Sequence, residues 1–366
     1  MSDTIISTSF CGGNADITII NEREIKIQPD LRGTTIQWFY WAFSAEVKEA
    51  CTLTFHVPYL GYFGAAVSHD LMNWEWTNTA NEDRSAFTYT FNENEGRVYF
   101  AHDMLYHPSQ FHHFCEKNGL RINTLCIDRF GTPVPYVQLG GGEKHILLTA
   151  RHHCCESTGN YVMEGMLQEY IDNPEPELTI TAVPFVDADG VVNGDQGKER
   201  SPHDHNRDYL EGIYPAVREI KKYSLSQKGN LLCVFDLHSP WHIGGKNDKV
   251  LIVRNSCERY DDYVHYGELF EENMTTGAFQ YKTVNDVNPG EEWNVYNEPV
   301  QCATWHEKLP GVLFSNTLET PYFGEAGNVV SQNSLREMGR CHMRAVLKFL
   351  KEKKQLHSYV PKKLDK

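Results

Sequence analysis

The first third of the chain carries short apolar runs, rich in β-branched and aromatic side chains, between polar turn segments. Runs of this length and composition predict β-strands. The predicted strands cover residues 16–20, 37–43, 51–57, 86–91 and 97–101, and residues 68–76 are expected to form a hairpin arm. Strands at this spacing predict a small antiparallel β-sandwich, to which we assign residues 1–104.

The pattern changes after residue 105, where short apolar runs alternate with longer segments of helical character. Predicted strands cover residues 135–139, 145–150, 178–185, 231–237, 250–253 and 312–317. Predicted helices cover residues 110–118, 158–172, 209–223, 258–273 and 332–353. This alternation predicts an α/β domain over residues 105–366, in which helices cover a mixed or mostly parallel sheet.

Composition agrees with a folded protein outside the membrane. The 366 residues are 40% hydrophobic and 12% aromatic, which are globular values, and they exceed the usual size of a single core. No apolar stretch approaches the roughly 20 residues that span a bilayer. Because the first residues carry no basic segment followed by an apolar one, we recognise no secretion signal and expect a cytoplasmic location.

The net charge bears on which binding partners the protein can have, and the cysteine content bears on whether it contains disulfides. A formal net charge of −15 disfavours nucleic acid and anionic membrane surfaces, since both require a compensating basic face. The ten cysteines include no Cys-x-x-Cys pair, so we expect reduced thiols rather than a disulfide framework. Neither property predicts an oligomeric state.

The first candidate functional site lies in residues 151–157, between the apolar run 145–150 and the predicted helix 158–172. His153 and Glu156 stand between them, so that an imidazole and a carboxylate can point at one position. Both groups are ligands of zinc. Cys154 and Cys155 lie between these two residues, and a thiolate also binds zinc, so a cysteine-based site is the alternative.

The segment from Arg151 to Gly165 combines His-x-x-Glu with small residues and with an aromatic residue and a glycine on the following helix. It resembles the zinc carboxypeptidases, and most closely their cytosolic carboxypeptidase branch. The resemblance covers about residues 31–350. It implies a zinc-carboxypeptidase-like mixed sheet with flanking helices, preceded by a small antiparallel β-sandwich domain. It also implies a bound Zn²⁺ and makes the two cysteines spacers.

A second motif, at residues 204–209, resembles the family's Asp-x-Asn-Arg sequence. The resemblance implies that Asn206 and Arg207 bind the C-terminal carboxylate of a substrate. An arginine can hold a carboxylate through two parallel hydrogen bonds. Asp204 is then expected to accept the free ring N–H of His153 and to fix its tautomer.

His238 follows the buried-looking strand 231–237, and sites form at strand ends in open α/β sheets. With His153 and Glu156 it completes a set of three metal ligands that leaves a fourth position for water. The nearby histidines to which we give lower weight as ligands are His203, His205 and His242.

The strand predicted at 312–317 leads to Glu319, near the C-terminus, where the carboxypeptidases carry their catalytic base. The resemblance implies that Glu319 takes a proton from a zinc-activated water and passes it to the leaving amine. Glu325 is the nearest rival. Tyr296 occupies the place of the family's mobile, substrate-binding tyrosine, and Trp305 that of an aromatic anchor.

One departure concerns the arginine that stabilises the oxyanion in the family. When residues 189–191 are matched to the usual Asp-Gly-Val, Gly197 falls where that arginine should be. Lys198 and Arg200 are the adjacent candidates. We favour Arg200 as a catalytic residue, because a planar guanidinium suits an oxygen that develops charge beside zinc.

Together these motifs indicate a zinc metallocarboxypeptidase that hydrolyses the C-terminal peptide bond of peptides or protein tails. One alternative is an amidase or peptidoglycan-peptide hydrolase on the same fold, and another is a catalytically inactive binding homologue. The branch that the chain resembles removes acidic residues, which requires positive charge in the pocket for the terminal side chain. Ala303, at a position that often sets specificity in the family, offers none.

Overall fold

The computed structural model describes residues 4–254, 259–295 and 300–356. Its N-terminal part contains the strands β1 (Thr4–Ser7), β2 (Asp16–Ile19), β3 (Glu24–Gln28), β4 (Ala42–Val47), β5 (Cys51–His56), β6 (Ala66–Ser68), β7 (Glu75–Trp76), β8 (Ala86–Phe91) and β9 (Gly96–Ala101). They form a five-stranded sheet, in the order β1-β4-β9-β6-β7, and a four-stranded sheet, in the order β2-β3-β5-β8. Phe43 and Phe100 from the first sheet pack on Phe55 of the second in one core, as the β-sandwich prediction requires. Adjacent strands in these sheets pair antiparallel, as predicted, except β3 and β5, which run parallel.

The strand predicted at residues 37–43 is wrong over most of its length, because β4 begins only at Ala42. Trp38 and Phe39 instead pack against Trp241 in the C-terminal part of the chain. The backbone N–H of Tyr40 donates to the side chain of Gln196, also in that part. These aromatic residues join the two parts of the protein, a tertiary role that outweighs their local β propensity.

Strands and helices alternate in the C-terminal part, which confirms the predicted α/β class. The strands are β10 (Asn123–Ile127), β11 (Pro133–Gly140), β12 (Lys144–Ala150), β13 (Leu178–Val183), β14 (Leu231–His238), β15 (Leu251–Val253), β16 (Phe314–Glu319), β17 (Gly324–Glu325) and β18 (Asn328–Val329). The helices are α1 (Pro108–Lys117), α2 (Thr158–Asp172), α3 (Ala188–Asn193), α4 (Pro215–Ser226), α5 (Tyr260–Glu272), α6 (Cys302–Glu307) and α7 (Gln332–Glu352). The assignment of separate domains divided at residue 104 stays a prediction.

A seven-stranded sheet, in the order β10-β11-β13-β12-β14-β16-β15, forms the centre of this part. Strands β13, β12, β14 and β16 run parallel, whereas β10, β11 and β15 pair antiparallel at the edges. In the register of the parallel strands, Ala150 lies beside Leu237 and His238 lies beside Glu319. The chain segments that follow β12, β14 and β16 therefore begin at the same edge of the sheet.

Most of the long helices agree with the predictions, and α2 and α7 occupy almost the predicted residues. The helix predicted at 209–223 begins only at Pro215, a residue suited to the first position of a helix. The carboxylate of Asp208 accepts the backbone N–H groups of Ile213 and Tyr214 and holds the preceding segment in a turn. Helices α3 and α6 were not predicted, because six residues are too few for a helical period to be recognised.

Within the described ranges, no helix combines the length and apolar character needed to cross a membrane. The cysteines in these ranges are free thiols, as their spacing predicts. Most of them are buried, among them Cys154 and Cys155.

Helices α2 and α7 approach each other closely at two glycines. A Cβ atom on Gly165 would lie 1.9 Å from the carbonyl oxygen of Arg336, and one on Gly339 would lie 2.1 Å from that of Val162. Gly165→Ala should therefore lower the free energy of unfolding by about 1–3 kcal/mol through overpacking. Without this contact, a Gly→Ala substitution inside a helix would raise the free energy of unfolding by about 1 kcal/mol, because alanine has the higher helix propensity.

Urea unfolding followed by circular dichroism measures this effect. Gly277→Ala is the control, because its Cβ would approach no atom closer than the Cγ of Glu337, at 3.9 Å. A Gly165→Ala protein as stable as the parent would contradict the close packing of α2 on α7.

Candidate metal centre and cavity

The loop that follows β12 is shaped by Arg151, whose backbone adopts a left-handed conformation with φ of +63°. Few residues other than glycine adopt this conformation. The buried guanidinium donates from Nε to the carbonyl oxygen of Cys154 (2.6 Å) and from Nη1 to Ser157 Oγ (3.1 Å). Arg151 therefore holds the residues that frame His153 and Glu156.

His153, Glu156 and His238 converge at the carboxyl edge of the sheet, and all are buried. Glu156 lies between the two imidazoles, with Oε1 2.8 Å from His153 Nδ1 and Oε2 2.7 Å from His238 Nδ1. Burial by itself would raise the pKa of Glu156, but the two histidines lower it well below its usual range. Ligand atoms from these residues lie within 4.8 Å of one another, so the set can hold one divalent cation.

A carboxylate faces the second ring nitrogen of each histidine. Asp204 Oδ1 lies 3.5 Å from His153 Nε2, where the sequence predicts it, and Asp236 Oδ2 lies 2.8 Å from His238 Nε2. Carboxylates in these positions fix the tautomer and the orientation of metal-binding imidazoles. The sequence analysis missed Asp236, although its position two residues before His238 on β14 places both side chains on one face of the strand.

Asp236 is also the centre of a larger buried network. Its Oδ1 accepts a hydrogen bond from Thr149 Oγ1 (2.8 Å) and lies 2.8 Å from His152 Nδ1. His152 Nε2 lies 2.9 Å from the hydroxyl of Tyr209. Adjacent histidines at residues 152 and 153 therefore point to opposite sides, one into this network and one towards Glu156.

Asn206 and Arg207 lie in a 3₁₀ turn, His205–Arg207, that the side chain of Asp204 caps by accepting the backbone N–H of Asn206. Asn206 Nδ2 lies 3.3 Å from His238 Nε2, and its Oδ1 accepts the backbone N–H of Cys302 (2.9 Å). Both Asn206 and Arg207 line the cavity in front of the histidines.

Glu319, at the end of β16, lines the same cavity. Its Oε2 is buried and finds no hydrogen-bond partner among the described residues. Burial raises the pKa of Glu319 to about 7, although the charge of His238 opposes this shift. A carboxyl group with such a pKa can both accept and release a proton near neutral pH.

The cavity has a volume of about 680 Å³. Trp38 from the N-terminal part forms one of its walls, together with Trp241 and Trp293 from the C-terminal part. Lys198 and Lys246 supply positive charge to the lining. The two parts of the chain therefore build the cavity jointly.

Arg200 does not line this cavity, contrary to the role predicted for it. Its Nη2 lies 2.6 Å from Asp187 Oδ2 and 3.0 Å from Asp195 Oδ2, and these buried carboxylates hold the guanidinium behind the loop. Lys198 lies at the cavity instead, with Nζ 3.5 Å from His153 Nε2. Between the residues before and after it, Gly197 adopts a left-handed conformation, and the chain turns there.

The other predicted residues are placed as follows. Tyr296 lies outside the described residues. Ala303 and Trp305 lie on α6, and neither lines the cavity, whereas Gln301 does. The exposed Glu325 pairs with Lys249.

Three of the rival ligands, His203, His242 and Cys154, contact other groups. His242 Nδ1 lies 2.9 Å from His102 Nε2, and His203 Nε2 lies 2.8 Å from Asp208 Oδ1. The Cys154 thiol donates to the carbonyl oxygen of Asp195 (3.1 Å).

Comparison with known proteins agrees with this architecture. Residues 6–102 match the family model described as the cytosolic carboxypeptidase N-terminal domain. The chain is 27% identical over 183 residues to cytosolic carboxypeptidase 2 of Xenopus tropicalis, a match that covers 42% of this chain and 19% of that protein. The human cytosolic carboxypeptidase 2 is 30% identical over 130 residues, which cover 32% of this chain and 14% of the relative. The matches thus span less than a fifth of the length of these two relatives.

Solved structures extend the likeness to the whole fold. A metallo-carboxypeptidase from Burkholderia cenocepacia superposes with a TM-score of 0.76 at 16% identity, covering 96% of this chain and 99% of that one. The chain has the fold of the metallo-carboxypeptidases. The metallo-carboxypeptidase from Pseudomonas aeruginosa in complex with (2-guanidinoethylmercapto)succinic acid also has a similar fold. It superposes with a TM-score of 0.75 at 15% identity, and the match covers 95% of this chain and 99% of that one.

Asp236→Asn should weaken metal binding by about 10- to 100-fold, the usual effect of losing the partner behind a ligand. The amide has one acceptor oxygen, which cannot serve His152, Thr149 and His238 together. Competition with a chelator measures the affinity. Asp172→Asn, an exposed carboxylate on α2, is the control. Unchanged affinity in a folded Asp236→Asn protein would show that His238 does not depend on this carboxylate.

Proposed function

We propose that this protein is a zinc-dependent metallocarboxypeptidase that removes the C-terminal residue of peptides or protein tails. The observation that carries the proposal is the meeting of His153, Glu156 and His238 with Glu319 in one cavity, whose wall also carries Asn206 and Arg207. An inactive binding homologue would not require a carboxylate with a buried, unpartnered oxygen in the cavity that the three ligands line. The names of the cytosolic relatives favour a cytoplasmic protein.

The ligand chemistry favours zinc. Two imidazoles and one carboxylate on a rigid sheet edge match catalytic zinc sites, which keep a coordination position for water or substrate. When bound there, zinc would act as a Lewis acid towards water and towards the peptide carbonyl. His153, Glu156 and His238 would hold it.

Glu319 would act as the general base and then as the general acid. Glu319 lines the cavity, and its buried Oε2 has no hydrogen-bond partner among the described residues, so the carboxylate can accept a proton from the attacking water. The raised pKa of Glu319 lets the same group deliver that proton to the leaving amine.

Asn206 and Arg207 would bind the free carboxylate of the substrate. Both line the cavity from the turn His205–Arg207, and the contact of Asn206 with Cys302 N fixes the orientation of its amide. A guanidinium and an amide donor together recognise a carboxylate. This contact would restrict the enzyme to free C-termini.

Lys198 replaces Arg200 in our proposal as the group that stabilises negative charge on the carbonyl oxygen. The ammonium of Lys198 lies 3.5 Å from Nε2 of His153. The guanidinium of Arg200 is instead paired with Asp187 and Asp195. A positive charge fixed near the developing oxyanion acts in the transition state rather than on the bound substrate.

An acidic terminal residue is the substrate side chain that we favour. Lys246 lines the cavity, 3.5 Å from Glu292, and can attract a carboxylate. Ala303, on which the sequence argument against such a pocket rested, is buried away from the lining.

The substrate experiment compares peptides that end in Glu, Leu or Lys with a peptide whose C-terminus is amidated, each incubated with the zinc-loaded protein and followed by mass spectrometry. We expect release of single C-terminal residues, fastest for Glu, and no cleavage of the amide. Faster release of Leu or Lys would remove the acidic preference. Failure to cleave any free C-terminus would overturn the proposed function.

Glu319→Gln should retain its metal and its fold but lose about 10²- to 10⁴-fold in kcat, because the amide cannot accept the proton. Steady-state kinetics with the best peptide substrate measures this loss. Glu325→Gln, outside the cavity, should keep parental activity. Parental turnover in Glu319→Gln would assign Glu319 a structural role.

Lys198→Met should lower kcat much more than it raises KM, whereas Arg207→Met should chiefly raise KM. Lys198 would act on charge that forms in the transition state, and Arg207 on a carboxylate that is present throughout. Kinetics of both variants with one peptide separates these effects. The reverse pattern would exchange the two roles.

A further inference from the structure

A second cavity, of about 320 Å³, lies behind the loop that carries Asn206 and Arg207. The carboxylic residues that line it are Asp128, Asp187, Asp189 and Asp195. Asp128, Asp187 and Asp195 are buried, and burial together with the charge of Asp187 raises the pKa of Asp128 to about 6. The metal centre in front does not use these groups.

Positive charge in this cavity is scarce. Arg200 is shared by Asp187 and Asp195. Asp189 accepts the backbone N–H groups of Phe130 and Thr132 rather than a cation. The guanidinium of Arg129 lies over the ring of Tyr214, 4.1 Å from its centre. The cluster therefore carries an excess of buried negative charge.

His205 gives an independent indication of a ligand. Its side chain lines this cavity and is only 2% exposed, yet neither ring nitrogen has a hydrogen-bond partner among the described residues. The ring stacks on Tyr214 at 3.6 Å, and Nδ1 lies 3.7 Å from Asp187 Oδ2, beyond hydrogen-bond distance. Burial lowers the pKa of His205 to about 4, so the imidazole is neutral and retains a lone pair.

We propose that Asp128, Asp187 and His205 form a second metal site, which binds a divalent transition-metal ion. One ligand atom from each residue lies within 4.8 Å of the others, and the open cavity admits water to the remaining positions. An imidazole among two carboxylates favours manganese or zinc over calcium or magnesium, which take oxygen ligands. Arg200 and the backbone N–H of Gly190 each occupy one lone pair on an Asp187 oxygen, and a carboxylate has about four such positions.

The position of this site suggests what the ion does. Asp128 follows β10, Asp187 follows β13, and His205 begins the turn whose next residues are Asn206 and Arg207. An ion bound to all of them ties the back of that turn to the sheet. The second metal therefore positions the two residues that face the substrate cavity.

The test measures metal content. The full-length protein is loaded with excess Zn²⁺ or Mn²⁺, desalted and analysed by inductively coupled plasma mass spectrometry. We expect two equivalents in the parent and one in Asp128→Asn and in His205→Gln. His238→Ala should also retain one equivalent, and its combination with His205→Gln none.

His342→Gln is the matched control, because His342 is likewise buried with both ring nitrogens unpartnered in the described structure, but it stacks on Phe270 away from any carboxylate cluster. This variant should keep two equivalents. A single equivalent in the parent that is lost in His238→Ala, or two equivalents in His205→Gln, would overturn the second site.

A measurement on His238→Ala keeps the proposal testable if the variants at Asp128 and His205 do not fold. Mn²⁺ bound to this protein should show the electron spin-echo modulation of a directly bound imidazole nitrogen. A bound Mn²⁺ without such coupling, or no bound Mn²⁺, would also overturn the proposal. Because His205 is not a ligand of the front centre, this result is independent of whether the protein cleaves peptides.

Discussion

The candidate centre depends on the register of three parallel strands. Strands β12, β14 and β16 end at one level, with Ala150 beside Leu237 and His238 beside Glu319. This ladder brings together ligand and base residues that are far apart in the sequence. A slip of one residue in β14 would turn His238 to the opposite face of the sheet and separate it from Glu156.

Buried charge is the second constraint. Glu156 lies between two imidazoles, and Asp236 contacts the histidines at 152 and 238 together with Thr149. Removing such groups from water costs free energy that is recovered only where each is paired and hydrogen-bonded. Both carboxylates meet this condition through their contacts with the histidines.

The segment between Asp195 and Asp208 serves two cavities at once. Lys198 and Asn206 lie at the front cavity, while Arg200 and His205 lie at the rear one. Because the chain turns at Gly197 and again in the 3₁₀ turn His205–Arg207, residues that are close in sequence line different cavities.

The fold class could be predicted from the sequence alone, because apolar runs and helical periods such as those of β14 and α7 depend on local spacing. The sequence also brought His153, Glu156, His238 and Glu319 forward as candidates, since each stands at the end of a recognisable strand or between a strand and a helix.

The neighbours that act on these groups depend instead on how distant segments pack. This packing places Lys198 rather than Arg200 at the cavity, sets Asp236 behind His238, and moves Trp38 from a predicted strand into a cavity wall. The physical reason is that buried carboxylates attract a guanidinium and that packing between distant segments orients side chains. Neither effect leaves a periodic signal along the chain.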